Sequence, residues 1–319
     1  MTPYVAPGWL PGGHAQTLFA ALRRPRPIAF ERERWDTPDG DFIDLDWAGP
    51  RDSPRRLVLF HGLEGSSRSH YVRSIAGLAI TRGWCCVVPH FRGCSGELNR
   101  LPRAYHSGDS DEIDWVLRRI HSLTPSARLD VAGVSLGGNA LLKWLGEQGQ
   151  DAAGVVERAA AISAPLDLAA AGHTLGRGFN RLYTRIFLGS LKRKSMAKLR
   201  RFPNSFDGAA MRASRNLYEF DNAVTAPLHG FRDTDDYWER ASSWPLLERI
   251  MIPTLVLNAR NDPFMPESAL ARTHAASKHV TLEFPEGGGH VGFLSGPFPG
   301  SQGWLAERIL EFFSGHSPR

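Results

Sequence analysis

Apolar and polar positions follow two rhythms along this chain. Residues 28–35 alternate, Pro38-Asp39-Gly40 supplies a turn, and residues 42–47 alternate again with Asp44 and Asp46 among the apolar side chains. A period of two bounded by turn residues predicts a β-hairpin with one solvated face. Leu57-Val58-Leu59-Phe60 then runs apolar without a break. That predicts a strand covered on both sides, as in a parallel sheet.

From there the pattern becomes strand, loop, helix. Apolar runs at 85–89, 129–133, 159–163, 254–258 and 280–284 read as strands, and helical periodicity appears at 71–82, 111–122, 137–147, 267–276 and 304–313. Such alternation builds βαβ units. The expected fold class is α/β, a mostly parallel eight-stranded sheet with helices on both faces, in a single domain spanning residues 1–319. One interval breaks the rhythm. Residues 165–245 hold no strand-like run and read as a helical cap inserted over the C-terminal edge of the sheet. Within it Lys192-Arg193-Lys194, Lys198 and Arg200-Arg201 crowd together. A solvated helix face is the plain expectation for such a run. Attraction of a phosphate or a membrane surface is the sharper one.

Composition narrows the class further. Hydrophobic residues make up 42% and charged residues 22%, a globular balance that excludes a disordered or fibrous chain. The net charge of +5 comes from 38 basic and 33 acidic residues spread along the chain. Without zinc-finger spacing or an aromatic-basic motif, that excess does not point to nucleic acid. Cys85, Cys86 and Cys94 are an odd set lacking C-x-x-C spacing, so neither a disulfide framework nor a zinc site is expected. A reduced, cytoplasmic setting fits. Residues 1–16 lack the basic and apolar regions of a signal peptide, and no apolar run approaches the roughly 18 residues of a membrane span.

The chemistry concentrates in Gly133-Val134-Ser135-Leu136-Gly137, followed by Gly138. With a strand pattern before it and a helix pattern after it, this G-x-S-x-G sequence places Ser135 on a tight turn that forces its hydroxyl outward. Glycines suit that turn because strand and helix backbones crowd there, and the following helix aims its positive end at the site. A serine hydroxyl needs a base. In this chain order the base follows the last strand, where His290 stands after Gly287-Gly288-Gly289; His279 precedes that strand and His316 lies in the tail. The imidazole in turn needs a carboxylate to hold its tautomer. Asp262 follows the strand at 254–258 and gives the order Ser, Asp, His, with Asp167, Asp233, Asp235 and Asp236 as competitors. Charge developing on a carbonyl oxygen needs two N–H donors. The Leu136 amide is one, and Leu63, or second to it Glu64, in the loop His61-Gly62-Leu63-Glu64-Gly65 is the other. The expected set is therefore Ser135, Asp262 and His290 with an oxyanion hole at Leu63 and Leu136, and it requires no metal or organic cofactor.

These residues resemble the α/β-hydrolase fold, and further segments resemble one branch of it: the YheT-like hydrolases with their EMB8 and ABHD1/2/3-like eukaryotic relatives. The matching segments run from Pro11 to Thr17, His61 to Ser67, Phe91 to Pro102, Tyr105 to Gly108, Thr225 to Phe231 and Asn261 to Phe264. The resemblance implies a Ser135–Asp262–His290 triad and esterase-type acyl hydrolysis. Eukaryotic relatives act on acylglycerols or phospholipids and carry an N-terminal membrane anchor. No stable membrane anchor is expected here, and transient lipid contact is.

The expected partner is a small-molecule ester with a short- to medium-chain acyl group. Phe179, Tyr183, Phe187, Phe202, Tyr237 and Trp238 either line its pocket or pack the cap. Two other readings share these residues. One is acyl transfer or thioester hydrolysis by the same triad. His106 and Asp111 form an H-x4-D spacing suited to acyl transfer, at a helix start where aspartate is favoured anyway. The other is a non-catalytic binding protein on the same fold.

Overall fold

The computed structural model describes residues 3–23 and 25–315; His316 lies outside them. Eight strands form one sheet: β1 Glu31–Asp36, β2 Phe42–Ala48, β3 Arg55–Phe60, β4 Cys85–Pro89, β5 Arg128–Val134, β6 Arg158–Ile162, β7 Thr254–Leu257 and β8 Val280–Glu283. Their spatial order is β1-β2-β4-β3-β5-β6-β7-β8. β1 and β2 pair antiparallel, as do β2 and β4, and every pairing from β4 through β8 is parallel. This is the mostly parallel α/β sheet that the spacing of the apolar runs predicts.

The unbroken apolar run of β3 explains how both faces are covered. Side chains alternate across a strand, so Leu57 and Leu59 enter one core while Val58 and Phe60 enter the other. Helices α2 (His70–Thr81) and α12 (Gly303–Phe313) close the first core through Ile75, Ala79, Ile309 and Leu310. Helices α3 (Ser110–Leu123) and α4 (Leu136–Gln148) close the second through Ile113, Leu117, Leu141 and Leu145.

The solvated face expected for the hairpin is absent. Every residue of β2 is buried, including Asp44 and Asp46. Register supplies the reason: Arg34 stands opposite Asp44 and Arg32 opposite Asp46 on β1. Arg34 Nε donates to Asp44 at 2.7 Å and Arg32 Nε to Asp46 at 2.8 Å. Asp46 also accepts from Ser67 and lies 2.8 Å from His90 Nε2. Paired charges tolerate burial that lone ones do not. A helix expected over 267–276 is likewise shorter. It ends as α11 (Glu267–Leu270) and tightens into a 3-10 turn over Ala271–Ala275, where the Thr273 hydroxyl donates to the Leu270 carbonyl. Conversely, a helix unmarked by the sequence, α1 (Gly13–Leu22), forms despite its glycine start.

Between β6 and β7 the chain forms α5 (Leu168–Leu175), α6 (Arg181–Arg201), α7 (Gly208–Ala213), α8 (Leu217–Phe220), α9 (Ala226–Leu228) and α10 (Thr234–Ala241), without a strand. The basic stretch on α6 is not simply a solvated face. Lys198 is buried and donates to the carbonyls of Leu101, Pro102 and Arg103. Lys194 pairs with Glu64 at 2.8 Å. Lys192 donates to the carbonyls of Arg212 and Ser214, and Arg201 to that of Asn99. A lysine can hold three carbonyls at once because its ammonium carries three donors. Among the described residues no helix is long and apolar enough to cross a membrane.

Candidate active site

Ser135 lies between β5 and α4 at φ 53° and ψ −122°. Such a backbone is costly for a residue with a side chain and persists only where the surroundings impose it. Here they do. A Cβ on Gly133 would come 2.4 Å from the Gly137 carbonyl oxygen, and one on Gly137 would come 2.6 Å from that of His61. The Ser135 N–H donates to the Ile162 carbonyl at 2.8 Å, and its own carbonyl accepts from Gly138 and Asn139. The turn is thus held by main chain on both sides, and the hydroxyl is turned outward.

His290 Nε2 stands 3.0 Å from Ser135 Oγ, and its Nδ1 stands 2.8 Å from Asp262 Oδ2. The other Asp262 oxygen accepts the Phe264 N–H at 2.8 Å. Phe264 stacks on the imidazole with ring centroids 4.1 Å apart. The Asp262 side chain is fully buried and that of His290 only 11% exposed. The competitors are engaged elsewhere. Asp167 caps α5 and pairs with Arg272. Asp233 caps α10, Asp235 accepts from Tyr218, and Asp236 pairs with Arg232 and Arg240. His279 opens the approach to β8, its N–H on Ser277.

Main-chain donors near Ser135 sort themselves by what they already bind. The Gly62 N–H donates to Tyr71 Oη at 2.8 Å and the Glu64 N–H to Tyr105 Oη at 2.9 Å. Among the described residues the Leu63 and Leu136 amides have no partner. Leu63, Leu136, Ser135 and His290 all line the same cavity. His61 fixes the start of this loop. Its Nδ1 faces the Gly62 carbonyl at 2.8 Å and its Nε2 accepts the Phe91 N–H at 3.2 Å.

A second set of contacts, absent from the motif reading, braces the histidine. The side-chain oxygen of Gln16 accepts the Gly288 N–H at 2.8 Å and the Asn261 amide at 3.1 Å. Asn261 accepts the Gly289 N–H, and Thr17 Oγ1 accepts the His290 N–H at 2.8 Å. Ser163 Oγ accepts the Val291 N–H at 3.1 Å. Gly13 permits this docking, since a Cβ there would come 1.9 Å from the Asn261 carbonyl oxygen. The Pro11–Thr17 segment therefore explains itself by contact with a loop about 270 residues away, which no local pattern reveals. Replacing Gln16 by alanine leaves the buried Gly288 amide unpaired, a cost of about 1–3 kcal/mol. We expect kcat on an activated ester to fall by roughly 10- to 100-fold through displacement of the imidazole, with KM little changed. Unaltered kcat would show that the brace does not position the ring.

The cavity is open to solvent on one side. Leu168, Phe187, Leu191, Phe220, Val224 and Leu228 of the helical segment between β6 and β7 line it with Tyr237 and Trp238. Of the other aromatics in that segment, Tyr183 packs edge-on against Phe264, Phe179 is exposed, and Phe202 lies beyond the end of α6 under Arg201. Polar groups collect beside the loop that carries Leu63. Glu64, at φ 56°, accepts from Tyr105 at 2.9 Å, from Lys194 and from Ser190. His106 also lines the cavity, 4.4 Å from the His229 ring, while Asp111 is exposed in the first turn of α3. The structure does not join those two residues.

Burial lowers the pKa of His61 to about 3, His70 to about 4, His106 to about 3 and His229 to about 2. Each folded value lies below the ordinary 6.5, so between them the unfolded chain binds more protons than the folded one. Stability should be full above about pH 6.5 and fall on acidification below it. Glu112 and Asp221, raised by burial to about 7 and about 6, oppose this, as do Asp109 and Asp130, which burial also raises, but all four imidazoles begin to charge in the unfolded chain just below pH 6.5, so they govern the upper part of the window. Urea midpoints lower at pH 5 than at pH 7.5 are expected; a midpoint that rises would contradict neutral burial of these imidazoles.

Residues 55–297 match the family model of the alpha/beta hydrolase fold. The Escherichia coli (strain K12) protein YheT is 39% identical over 308 residues, covering 94% of this chain and 90% of its own. Human phospholipase ABHD3 is 31% identical over 316 residues, covering 96% of this chain and 76% of its own. Among solved structures, a Pyrococcus furiosus esterase, Pf2001, superposes with a TM-score of 0.57 at 16% identity, over 98% of this chain and 96% of its own; at that identity the likeness is one of fold. The chain belongs to the α/β-hydrolase fold family, in the branch that includes YheT and ABHD3.

Proposed function

We propose that the protein is a serine carboxylic-ester hydrolase. The observation that carries this reading is the unbroken line of hydrogen-bond distances from Ser135 through His290 to Asp262 at the wall of an apolar cavity. Ser135 Oγ attacks the ester carbonyl while His290 Nε2 takes its proton, and the Asp262 carboxylate holds the resulting imidazolium. The Leu63 and Leu136 amides receive the charge on the carbonyl oxygen, and loss of one such donor costs roughly 10²–10³ in rate. The imidazolium then protonates the leaving alcohol, and an acyl-Ser135 ester remains. Water, deprotonated by His290, attacks that ester, and the carboxylic acid departs as Ser135 regains its proton.

The lining favours short- to medium-chain acyl esters or a lipid-like ester, since its walls are mainly apolar and reward an acyl chain. We read residues 1–319 as one hydrolase domain whose 165–245 segment is the cap. Three unpaired cysteines suit a cytoplasmic setting. The test has two arms. A fluorophosphonate should add its phosphonyl mass to the peptide containing Ser135, and p-nitrophenyl esters from acetate to palmitate should show an optimum at intermediate chain length. A label elsewhere, or no label on folded protein, would remove the reading. With a primary alcohol present, an alkyl ester outgrowing the free acid would mark a transferase instead.

A further inference from the structure

Helix α6 carries two different sets of basic residues. Its 21 residues include Arg181, Arg185, Lys192, Arg193, Lys194, Lys198, Arg200 and Arg201 and no acidic residue. One set grips the chain beneath: Lys194 on Glu64, Lys198 on three carbonyls, Lys192 and Arg201 on others. These contacts fix which way the helix faces. The other set points outward. Arg181, Arg185 and Arg193 are exposed, as is Arg177 just before the helix, and among the described residues none of them has a carboxylate partner.

Between these arginines the surface is apolar. Phe179 is 53% exposed, Leu182 44% and Ile186 61%. Positions 182 and 186 lie one helical turn apart on the same outer face, beside Arg181 and Arg185. Ile186 directly precedes Phe187, which lines the cavity with Ser135 and His290. Isolated surface apolar residues need no explanation, but a contiguous patch ringed by one sign of charge does. An unpaired arginine ring about projecting aliphatic and aromatic side chains matches the chemistry of an anionic lipid interface more closely than that of an acidic protein rim. Apolar side chains there enter the acyl boundary while arginines meet the phosphates.

We propose that this face of α6, from Arg177 to Arg193, docks the protein reversibly on an anionic lipid surface. Its place beside the cavity would deliver lipid-borne esters to Ser135; only that delivery rests on the esterase reading, and docking does not. The experiment is cosedimentation of the full chain with vesicles of phosphatidylcholine, with and without one quarter phosphatidylglycerol, at low and high salt. Each arginine near such a surface contributes roughly fivefold to partitioning. Arg181→Glu with Arg185→Glu should therefore reduce binding to the anionic vesicles by at least about tenfold, and Leu182→Ser with Ile186→Ser should weaken it as well. Turnover of a dissolved p-nitrophenyl ester should be unchanged in both variants, which shows them folded. Ser135→Ala protein should bind like the parent, so failure of the esterase assignment and failure of docking are read separately. Equal binding to neutral and anionic vesicles, no binding to either, or binding unaffected by the two pairs of substitutions would overturn the proposal.

Discussion

Replacing Ser135 by alanine is expected to lower kcat for ester hydrolysis by on the order of 10⁴–10⁶ while leaving the fold intact. The hydroxyl is the only part of the residue removed. The N–H to Ile162 and the carbonyl received by Gly138 and Asn139 are main-chain bonds that alanine keeps. The left-handed φ of 53° is imposed by the crowded glycines, and alanine meets the same constraint. Urea midpoints of the two proteins should thus agree within about 0.5 kcal/mol. Residues that act as one unit are strongly non-additive. Asp262→Asn, severe in the parent, should therefore add little once Ser135 is gone. Measured kcat for p-nitrophenyl butyrate decides both points. Near-parental activity in the alanine variant would place the nucleophile elsewhere.

Loss of Arg92 is expected to be the most damaging single change to stability away from the reacting groups. Its side chain is 3% exposed and meets three carboxylates: Glu112 at 2.5 Å, Asp39 at 2.8 Å and Asp41 at 3.1 Å. Asp41 and Glu112 are themselves buried, and Asp41 also accepts from Asn99 and the Arg100 N–H. Arg92→Ala leaves the buried Asp41 and Glu112 facing one another without the cation that touches both. Breaking such a buried group typically costs about 3–5 kcal/mol. Arg92→Lys should recover only part of this, because one ammonium lacks the planar fork that reaches three acceptors. The loss should shrink as pH falls, because burial already raises Glu112 to about 7 and removing the Arg92 cation, which lowers it, favours the protonated carboxyl further. Activity should fall too, since the segment Arg92 anchors leads to Tyr105, whose hydroxyl holds Glu64 beside Leu63. Urea unfolding at pH 6 and 8 tests the stability claim. A midpoint shift under 1 kcal/mol would mean that the network is dispensable.

The difference between these two residues shows where the sequence is readable. Ser135 announces itself because the constraints on it are local: the glycines it needs are within three positions, and the strand and helix it joins are adjacent. Asp262 and His290 are legible for a related reason, as each follows a strand whose apolar run is unmistakable, and chain order suggests the roles proposed for them. Arg92 carries no comparable mark. Its three carboxylate partners come from two segments 20 to 53 residues away, and nothing near it in the chain predicts that it is buried.

The eight strands and most of the helices that cover them were legible in periodicity, because burial on one or two faces imposes a period on the nearest residues; α1 and the short α11 were not. The candidate nucleophile was legible too, since a strained turn requires its own glycines. Only tertiary structure decided which polar residues are inside. Asp44 and Asp46 read as a water-facing row and are buried because arginines stand opposite them across the hairpin. Lys194 and Lys198 read as a solvated run and are turned inward because Glu64 and the carbonyls of residues 101–103 face them. Gln16 and Thr17 hold the His290 loop from the far end of the chain. Apolar burial depends on neighbours along an element, but burial of a charge depends on a partner, and partners meet only when the chain has folded.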